Sequence, residues 1–228
     1  AVVVVMLVTI SLVVQFFINL PESFGRNSRV LMMLVAILTQ LLLVKLSLYL
    51  GKSFDLNSGY IFLMAPYAFA PMTMSLLLGR DHGTMAALYA SLLGGLLVPG
   101  GAAFKFLIFS LVCGFVAVYL TQDMRRRSRL VTAGLFVGLT NALMACALGE
   151  IPLIGSDLGI EWNQIGVQCL TGILVGVLTA MVVSGILPVL EGVFQITTAL
   201  SWLEMADLNH PLMKRMTLEA PGTYHHCL

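Results

Sequence analysis

Charged residues are scarce in this chain. They make up 10% of its 228 residues, against 59% hydrophobic residues, whereas a water-soluble domain carries about 25% charged residues. This composition excludes an ordinary soluble protein and predicts a membrane protein. The formal net charge is +1, so no basic field points to a nucleic acid polymer as a partner.

Acidic residues are missing from the apolar stretches, and the cysteines are not arranged in pairs. Proton-coupled pumps normally need intramembrane carboxylates, so the lack of Asp and Glu argues against a pump. Cys113, Cys146 and Cys169 lie inside apolar runs and Cys227 is next to the last residue, so no pair is placed for an extracellular disulfide.

The first residues also lack the features of a signal peptide. The sequence starts at Ala1 within an apolar run, without an initiating Met or a basic region before it. Because a cleavable signal peptide needs that basic region, residues 1–20 are predicted to be a membrane span. The N-terminus is expected to continue a longer chain.

Seven apolar segments follow one another, and they predict an all-α, polytopic seven-transmembrane helix bundle. A helix rises about 1.5 Å per residue, and the hydrocarbon core is about 30 Å thick. The fourth segment is short, at about 22 Å. It is expected either to extend into "RDHG" and "PGG" or to pair with the fifth as a re-entrant hairpin. The segments are 1–20, 30–50, 60–79, 84–98, 104–121, 130–149 and 165–190.

Basic residues predict the orientation of the bundle, because cytoplasmic loops carry an excess of Lys and Arg. Alternate loops contain Arg26 and Arg29, then Arg80, then Arg125, Arg126, Arg127 and Arg129. The other loops carry Lys52 and the acidic Glu150, Asp157 and Glu161. The N-terminus is therefore predicted on the extracellular side and the C-terminus in the cytoplasm.

Lys45, Pro66 and Pro71 each allow a structural and a functional interpretation. Lys45 lies in the second segment, near its outer end, where its ammonium group can snorkel to the interface, make an interhelical hydrogen bond or bind a ligand. The two prolines should kink the third segment. The kink either is merely structural or frees carbonyl groups that line a cavity.

The remaining small and polar residues of the spans indicate packing rather than an ion path. Two glycine pairs at small-xxx-small spacing, Gly134 with Gly138 and Gly172 with Gly176, predict close helix contacts. The polar residues have no spacing typical of a conduction path, and His82 is predicted to be solvated in a short loop. The polar residues are Gln40, Ser75, Thr140 and Asn141.

After residue 190 the chain becomes amphipathic and too polar to span a membrane. Two short helices are predicted, one on each side of "NHP", because the residue before proline resists the α region. The end, "PGTYHH", predicts a turn and a helix start. His225 and His226 would point about 100° apart, so at most one could bind a given metal ion. One histidine is not a metal site, which leaves a solvated pair or the first ligand of an incomplete site.

The stretch "EGVFQITTALSWLEMADLNHPLMKRMTLEAPGTYHH" closely resembles the junction between membrane and hydrolase in the bacterial seven-transmembrane receptors with an intracellular HD hydrolase. That family has the patterns E-x-x-F-x-I-T-T, L-E-x-x-x-x-N-H-P-L and E-A-P-G-T-Y-H-H-S. The preceding segments are similar in number, in topology and in "LPESFGRNSR" after the first of them. The likeness covers nearly the whole chain.

The resemblance implies a fold and an activity. An extracellular domain precedes the seven helices of that family, and a cytoplasmic HD domain follows them and hydrolyses cyclic di-AMP to pApA. Its divalent metals, typically iron or manganese, are held by a histidine at the end of the "GTYHH" phrase, by a later His-Asp doublet and by further residues. By position the first ligand is His226; Cys227, where the family has serine, is not expected to bind metal.

The resemblance also implies a division of the chain. Residues 1–190 would form the seven-helix domain, 191–220 the cytoplasmic linker helices, and 221–228 the start of the HD domain. No catalytic residue falls within the chain, so the fragment alone is expected to be inactive. The partners implied are the lipid bilayer and the cyclic dinucleotide, and a homodimer is left open.

Two other functions remain open on the residues alone. The first is a transporter or channel, in which the kinked third segment and the short fourth one line a path. The second is a sensor bundle whose hydrolase is inactive. The next part of the parent sequence would separate the second from the enzyme, because an inactive hydrolase should lack the His-Asp doublet.

Overall fold

The computed structural model describes residues 2–20, 27–54, 58–98, 101–122, 124, 128–151, 162–196, 198, 214–215, 218–220 and 222. Every regular element of more than two residues in this part of the chain is an α-helix, which confirms the predicted all-α class. The helices are α1 (Val2–Asn19), α2 (Asn27–Ser53), α3 (Ser58–Leu63), α4 (Phe69–Leu78), α5 (Arg80–Leu97), α6 (Ala102–Thr121), α7 (Ser128–Ala147) and α8 (Trp162–Phe194).

The helices follow the seven predicted segments, and four of them are long and apolar enough to cross a membrane: α2, α6, α7 and α8. Helix α1 is apolar but shorter, the third segment is divided into α3 and α4, and α5 begins with polar residues. The chain is therefore a multi-pass membrane protein by its helices. Seven complete crossings stay a prediction.

The fourth predicted segment extends into "RDHG", as one of the two alternatives had it, and the prediction for His82 was wrong. "RDHG" forms the first turn of α5, so the predicted extension at this end is confirmed. His82 is helical and only 5% exposed, and its ring packs edge-on against Phe16 with the centroids 5.9 Å apart. Gly79, at φ +97°, alone separates α4 from α5, so no loop is left to hold His82 in solvent.

The helix ends form two groups with different chemistry. The end of α2 borders a groove with Val98 and Ala102, whereas the start of α2 borders another with the end of α8. The arginine end carries Arg29, Arg80 and Arg129, each at the start of a helix. The lysine end carries Lys52 at the end of α2 and Lys105 at the start of α6. Arg26, Arg125, Arg126, Arg127, Asp157 and Glu161 lie outside the described residues, so the predicted distribution of the loops between the two sides stays a prediction.

The third predicted segment is broken, not kinked. Helix α3 stops at Leu63 and α4 begins at Phe69. Pro66 lies in the interruption, where it cannot donate a backbone hydrogen bond, and Pro71 lies in the first turn of α4, where a helix tolerates proline. The third segment therefore has a short nonhelical passage around Pro66, while Pro71 is compatible with the start of α4.

The broken segment lies between two groups of buried apolar side chains. Helix α4 is buried along nearly its whole length, and it contributes Met72 to one group and Ala70 and Met74 to the other. The first group also contains Phe62, Leu63, Phe106, Phe109, Cys113 and Val137. The second also contains Phe16, Met32, Met33, Tyr89 and Leu187.

Helices α7 and α8 pack backbone against backbone through the two predicted glycine pairs. A Cβ atom built on Gly138 would lie 2.6 Å from the Cα of Ile173, and one built on Gly176 would lie 2.5 Å from the backbone oxygen of Gly134. Real Cβ atoms do not approach so closely, so only glycine permits this separation. The packing role predicted for these glycines is confirmed.

We expect Gly138→Ala to destabilise the bundle by about 1–3 kcal/mol, because the added methyl group has no room between α7 and α8. The thermal unfolding midpoint of the purified protein in detergent should fall. Gly185→Ala is the matched control, since a Cβ at Gly185 in α8 meets nothing within 4 Å. Equal midpoints for the two variants would show that the close approach does not matter.

Candidate functional site

The break between α3 and α4 is bridged by amide side chains from two neighbouring helices. The Ala70 N–H donates to Gln40 Oε1 of α2 over 2.8 Å. Asn141 Nδ2 of α7 donates to the Leu63 carbonyl oxygen over 3.1 Å. Gln40 and Asn141 are only 1% and 3% exposed. The start of α4 and the end of α3 are therefore each satisfied by a buried amide.

These two residues have a role that the sequence analysis missed. The sequence analysis placed them among polar residues whose spacing does not indicate an ion path. In the structure, each forms a hydrogen bond with a backbone group, the Ala70 N–H or the Leu63 carbonyl, that has no helical partner at the break. An unpaired backbone group in an apolar environment costs several kcal/mol. The sequence did contain a signal for this role: a proline within one apolar segment, and amide side chains within two others that could bond to the backbone groups it frees.

A small cavity lies beside the break. It has a volume of about 10 Å³ and is lined by residues that include Pro66, Tyr67, Asn141 and Thr179. This volume is close to the minimum needed to hold one water molecule. The Oδ1 atom of Asn141 is buried and has no hydrogen-bond partner among the described residues. Among the described residues, the space beside the break is thus large enough for about one water molecule.

The end of α8 fixes the direction in which the chain leaves the bundle. Gln195 adopts φ +52°, and the Ile196 N–H donates to the Glu191 carbonyl oxygen over 3.1 Å. This bond across five residues, with a left-handed residue inside it, is the Schellman arrangement that terminates helices. Ile196 packs on the apolar group that contains Leu187.

A side-chain contact adds to this terminus. The Thr198 hydroxyl donates to the Glu191 carboxylate, so the first acidic residue and the last threonine of the "EGVFQITT" stretch lie together. Helix α8 also continues to Phe194, past the predicted segment end at residue 190. The sequence likeness at the junction therefore coincides with a defined helix terminus.

The metal ligand predicted from the resemblance, His226, lies outside the described residues, as do His225 and Cys227. Within the described ranges, no three His, Cys, Asp or Glu side chains are grouped so that they could hold a metal ion. In the second predicted linker helix, Lys214, Arg215, Leu218 and Glu219 are helical. There Arg215 Nε donates to Glu219 Oε1 over 2.6 Å, one helical turn further on.

Gln40→Leu should lower the stability of the bundle by about 1–3 kcal/mol, because it leaves the Ala70 N–H buried without an acceptor. The loss is measured from thermal unfolding in detergent. Thr39→Val is the control on the adjacent residue, since the Thr39 hydroxyl bonds only to Val35 of its own helix. If both variants unfold at the same temperature, Gln40 does not stabilise the break.

Comparison with curated proteins finds relatives that share most of this chain. It is 29% identical over 192 residues to the cyclic-di-AMP phosphodiesterase PgpH of Listeria monocytogenes, covering 84% of this chain and 26% of that protein. It is 27% identical over 201 residues to PgpH of Bacillus subtilis, covering 85% of this chain and 27% of that protein. The chain thus spans about a quarter of the length of these relatives.

The same region matches a third relative and a family model. An uncharacterised protein of Synechocystis is 28% identical over 177 residues, which cover 76% of this chain and 22% of that protein. No solved structure matches. The model of the family described as 7TM receptor with intracellular HD hydrolase matches residues 1–198. The chain therefore belongs to the family of seven-transmembrane receptors with an intracellular HD hydrolase.

Proposed function

We propose that this chain is the membrane and linker portion of a metal-dependent HD-type phosphodiesterase that hydrolyses cyclic di-AMP to pApA. The observation that carries the proposal is the family match over residues 1–198, together with two relatives named cyclic-di-AMP phosphodiesterase. In this proposal residues 1–190 form a seven-helix anchor, 191–220 a cytoplasmic linker, and 221–228 the start of the hydrolase domain.

His226 would supply one ligand to a divalent metal, iron or manganese. A neutral imidazole nitrogen suits such ions, but one histidine does not make a site, and the described residues offer no cluster to complete it. The other ligands would belong to the rest of the hydrolase, beyond the quarter of the relatives' length that this chain spans. When bound, the metal would supply an activated water at neutral pH and offset charge on the phosphoryl oxygens.

The terminus of α8 supports a role for the bundle in positioning the hydrolase, and through it in passing an external signal. The Schellman bond from Ile196 to Glu191 and the Thr198 contact define the end of the last helix, next to the proposed linker. A linker that leaves a helix in a fixed direction constrains the domain attached to it. The bundle is thus an anchor and a candidate signal transmitter.

In the full-length protein, we expect His226→Ala to reduce cyclic di-AMP hydrolysis by more than about 100-fold. Removal of a residue that only hydrogen-bonds to a metal ligand costs about 10- to 100-fold. The larger loss is expected because a direct ligand is removed. Production of pApA is followed by chromatography, and bound metal is measured by elemental analysis.

His225→Ala is the matched control, because the neighbouring imidazole points about 100° away on a helix. It should retain activity and metal. Equal activity in the two variants would remove His226 from the metal site. Intact cyclic di-AMP after incubation with metal-loaded wild-type protein would favour a sensor bundle with an inactive hydrolase.

We further propose that the arginine end of the bundle faces the cytoplasm, which places the N-terminus outside and the C-terminus inside. The positive-inside tendency supports this orientation. Alkaline phosphatase needs an oxidising compartment for its disulfides. It should therefore be inactive when inserted in the 123–127 loop and active when inserted in the 152–161 loop. The reverse pattern of activities would invert the proposed topology.

The broken α3–α4 segment favours a transporter or channel as the second candidate function, since discontinuous helices often line substrate sites. Two features weigh against it. Gln40 and Asn141 satisfy the backbone groups next to the break, and the adjoining cavity measures only about 10 Å³. The phosphodiesterase is therefore the function we propose.

A further inference from the structure

A groove lies at the lysine end of the bundle between α2, α3, the C-terminal end of α5 and the start of α6. It has a volume of about 360 Å³, within the range of about 300–1,000 Å³ that small-molecule sites occupy. Its residues are Lys45, Leu48, Tyr49, Lys52, Ile61, Phe62, Val98 and Ala102. The wall is thus mainly apolar, and the polar atoms come mainly from one helix.

Lys45, Tyr49 and Lys52 lie on one face of α2. Their spacing of four and three residues brings them above one another on a helix, and the two lysines are about 10 Å apart along the axis. Lys45 is exposed, although it belongs to an apolar segment. The structure therefore places this lysine on the outer surface of the bundle and not among interhelical contacts.

The groove has positive charge without a nearby described counter-charge. Neither Lys45 nor Lys52 has an ion-pair partner within the described residues. The acidic residue described at this end, Glu150, is already paired with Lys105, whose Nζ lies 2.6 Å from its Oε1. An anionic ligand would therefore complement the two lysines without displacing an existing ion pair.

We propose that this groove binds an anionic phospholipid, with the phosphate between Lys45 and Lys52 and an acyl chain along Ile61, Phe62 and Val98. The apolar wall fits a hydrocarbon chain. Lys45 lies within the apolar stretch of α2, near the predicted membrane interface. Tyr49 is a residue type enriched at membrane interfaces, where an apolar ring and a polar hydroxyl are both satisfied. Lipid binding in this groove would not require the hydrolase activity.

A soluble anion fits the groove less well than a lipid. A free phosphate would use the two ammonium groups but would leave the apolar wall exposed. A diacyl lipid with an anionic headgroup contacts both the ammonium groups and the apolar wall. Such a lipid is also already concentrated in the bilayer next to α2. The combination of charge and apolar wall therefore selects the lipid.

The test is competition between phosphatidylglycerol and phosphatidylcholine for the full-length protein, read as retained lipid by native mass spectrometry. Each basic residue near an anionic membrane surface contributes roughly fivefold in affinity, so two predict a preference of about thirtyfold. The double variant Lys45→Gln with Lys52→Gln should lose this preference. The charge-retaining pair Lys45→Arg with Lys52→Arg should keep it.

A photoactivatable phosphatidylglycerol on the wild-type protein gives an independent measurement that does not depend on the folding of a variant. Its crosslinks should map to residues 45–62. Crosslinks that map only elsewhere, or equal phosphatidylglycerol preference in the glutamine variant, would overturn the proposal. Displacement of the lipid by millimolar inorganic phosphate would assign the groove to a soluble anion instead.

Discussion

The need to satisfy backbone groups at the Pro66 break constrains the rest of this bundle. In an apolar environment, no solvent compensates the amide of Ala70 or the carbonyl of Leu63. Gln40 on α2 and Asn141 on α7 perform that task. Because the two amides come from two different helices, they tie both α2 and α7 to the broken segment. The two buried apolar groups then form on either side of α4.

The two ends of the bundle have different chemistry around this common centre. The arginine end includes the terminus of α8, where Glu191 binds the backbone of Ile196 and the hydroxyl of Thr198. The lysine end combines the half-buried Lys105–Glu150 pair with the groove of Lys45 and Lys52. Helix α1 joins the bundle through Tyr89 of α5, whose hydroxyl donates to Gln15 over 2.6 Å. The first span is thus attached by a polar contact as well as by Phe16.

The predictions that succeeded rest on local and repetitive signals. Long apolar runs located the helices, and the spacing of Gly134, Gly138, Gly172 and Gly176 predicted their close approach. The junction sequence indicated the family before the comparisons did. The predictions that failed concerned His82 and the third segment, which is interrupted at Pro66 and not only kinked. His82 was expected in solvent because "RDHG" looks like a loop. Because the turn consists of Gly79 alone, "RDHG" instead forms the first turn of α5, and His82 packs against Phe16.

The sequence by itself determined the membrane location, the approximate helix boundaries and the family, because these depend on composition and on short patterns along the chain. Only the tertiary structure decided which polar residues meet. Gln40 is 30 residues from Ala70 and Asn141 is 78 residues from Leu63, and Lys105 is 45 residues from Glu150. No periodicity specifies such pairs, since they depend on how distant helices pack. For the same reason the groove lined by Lys45 and Ala102 exists only once α2 and α3 have packed beside the end of α5 and the start of α6.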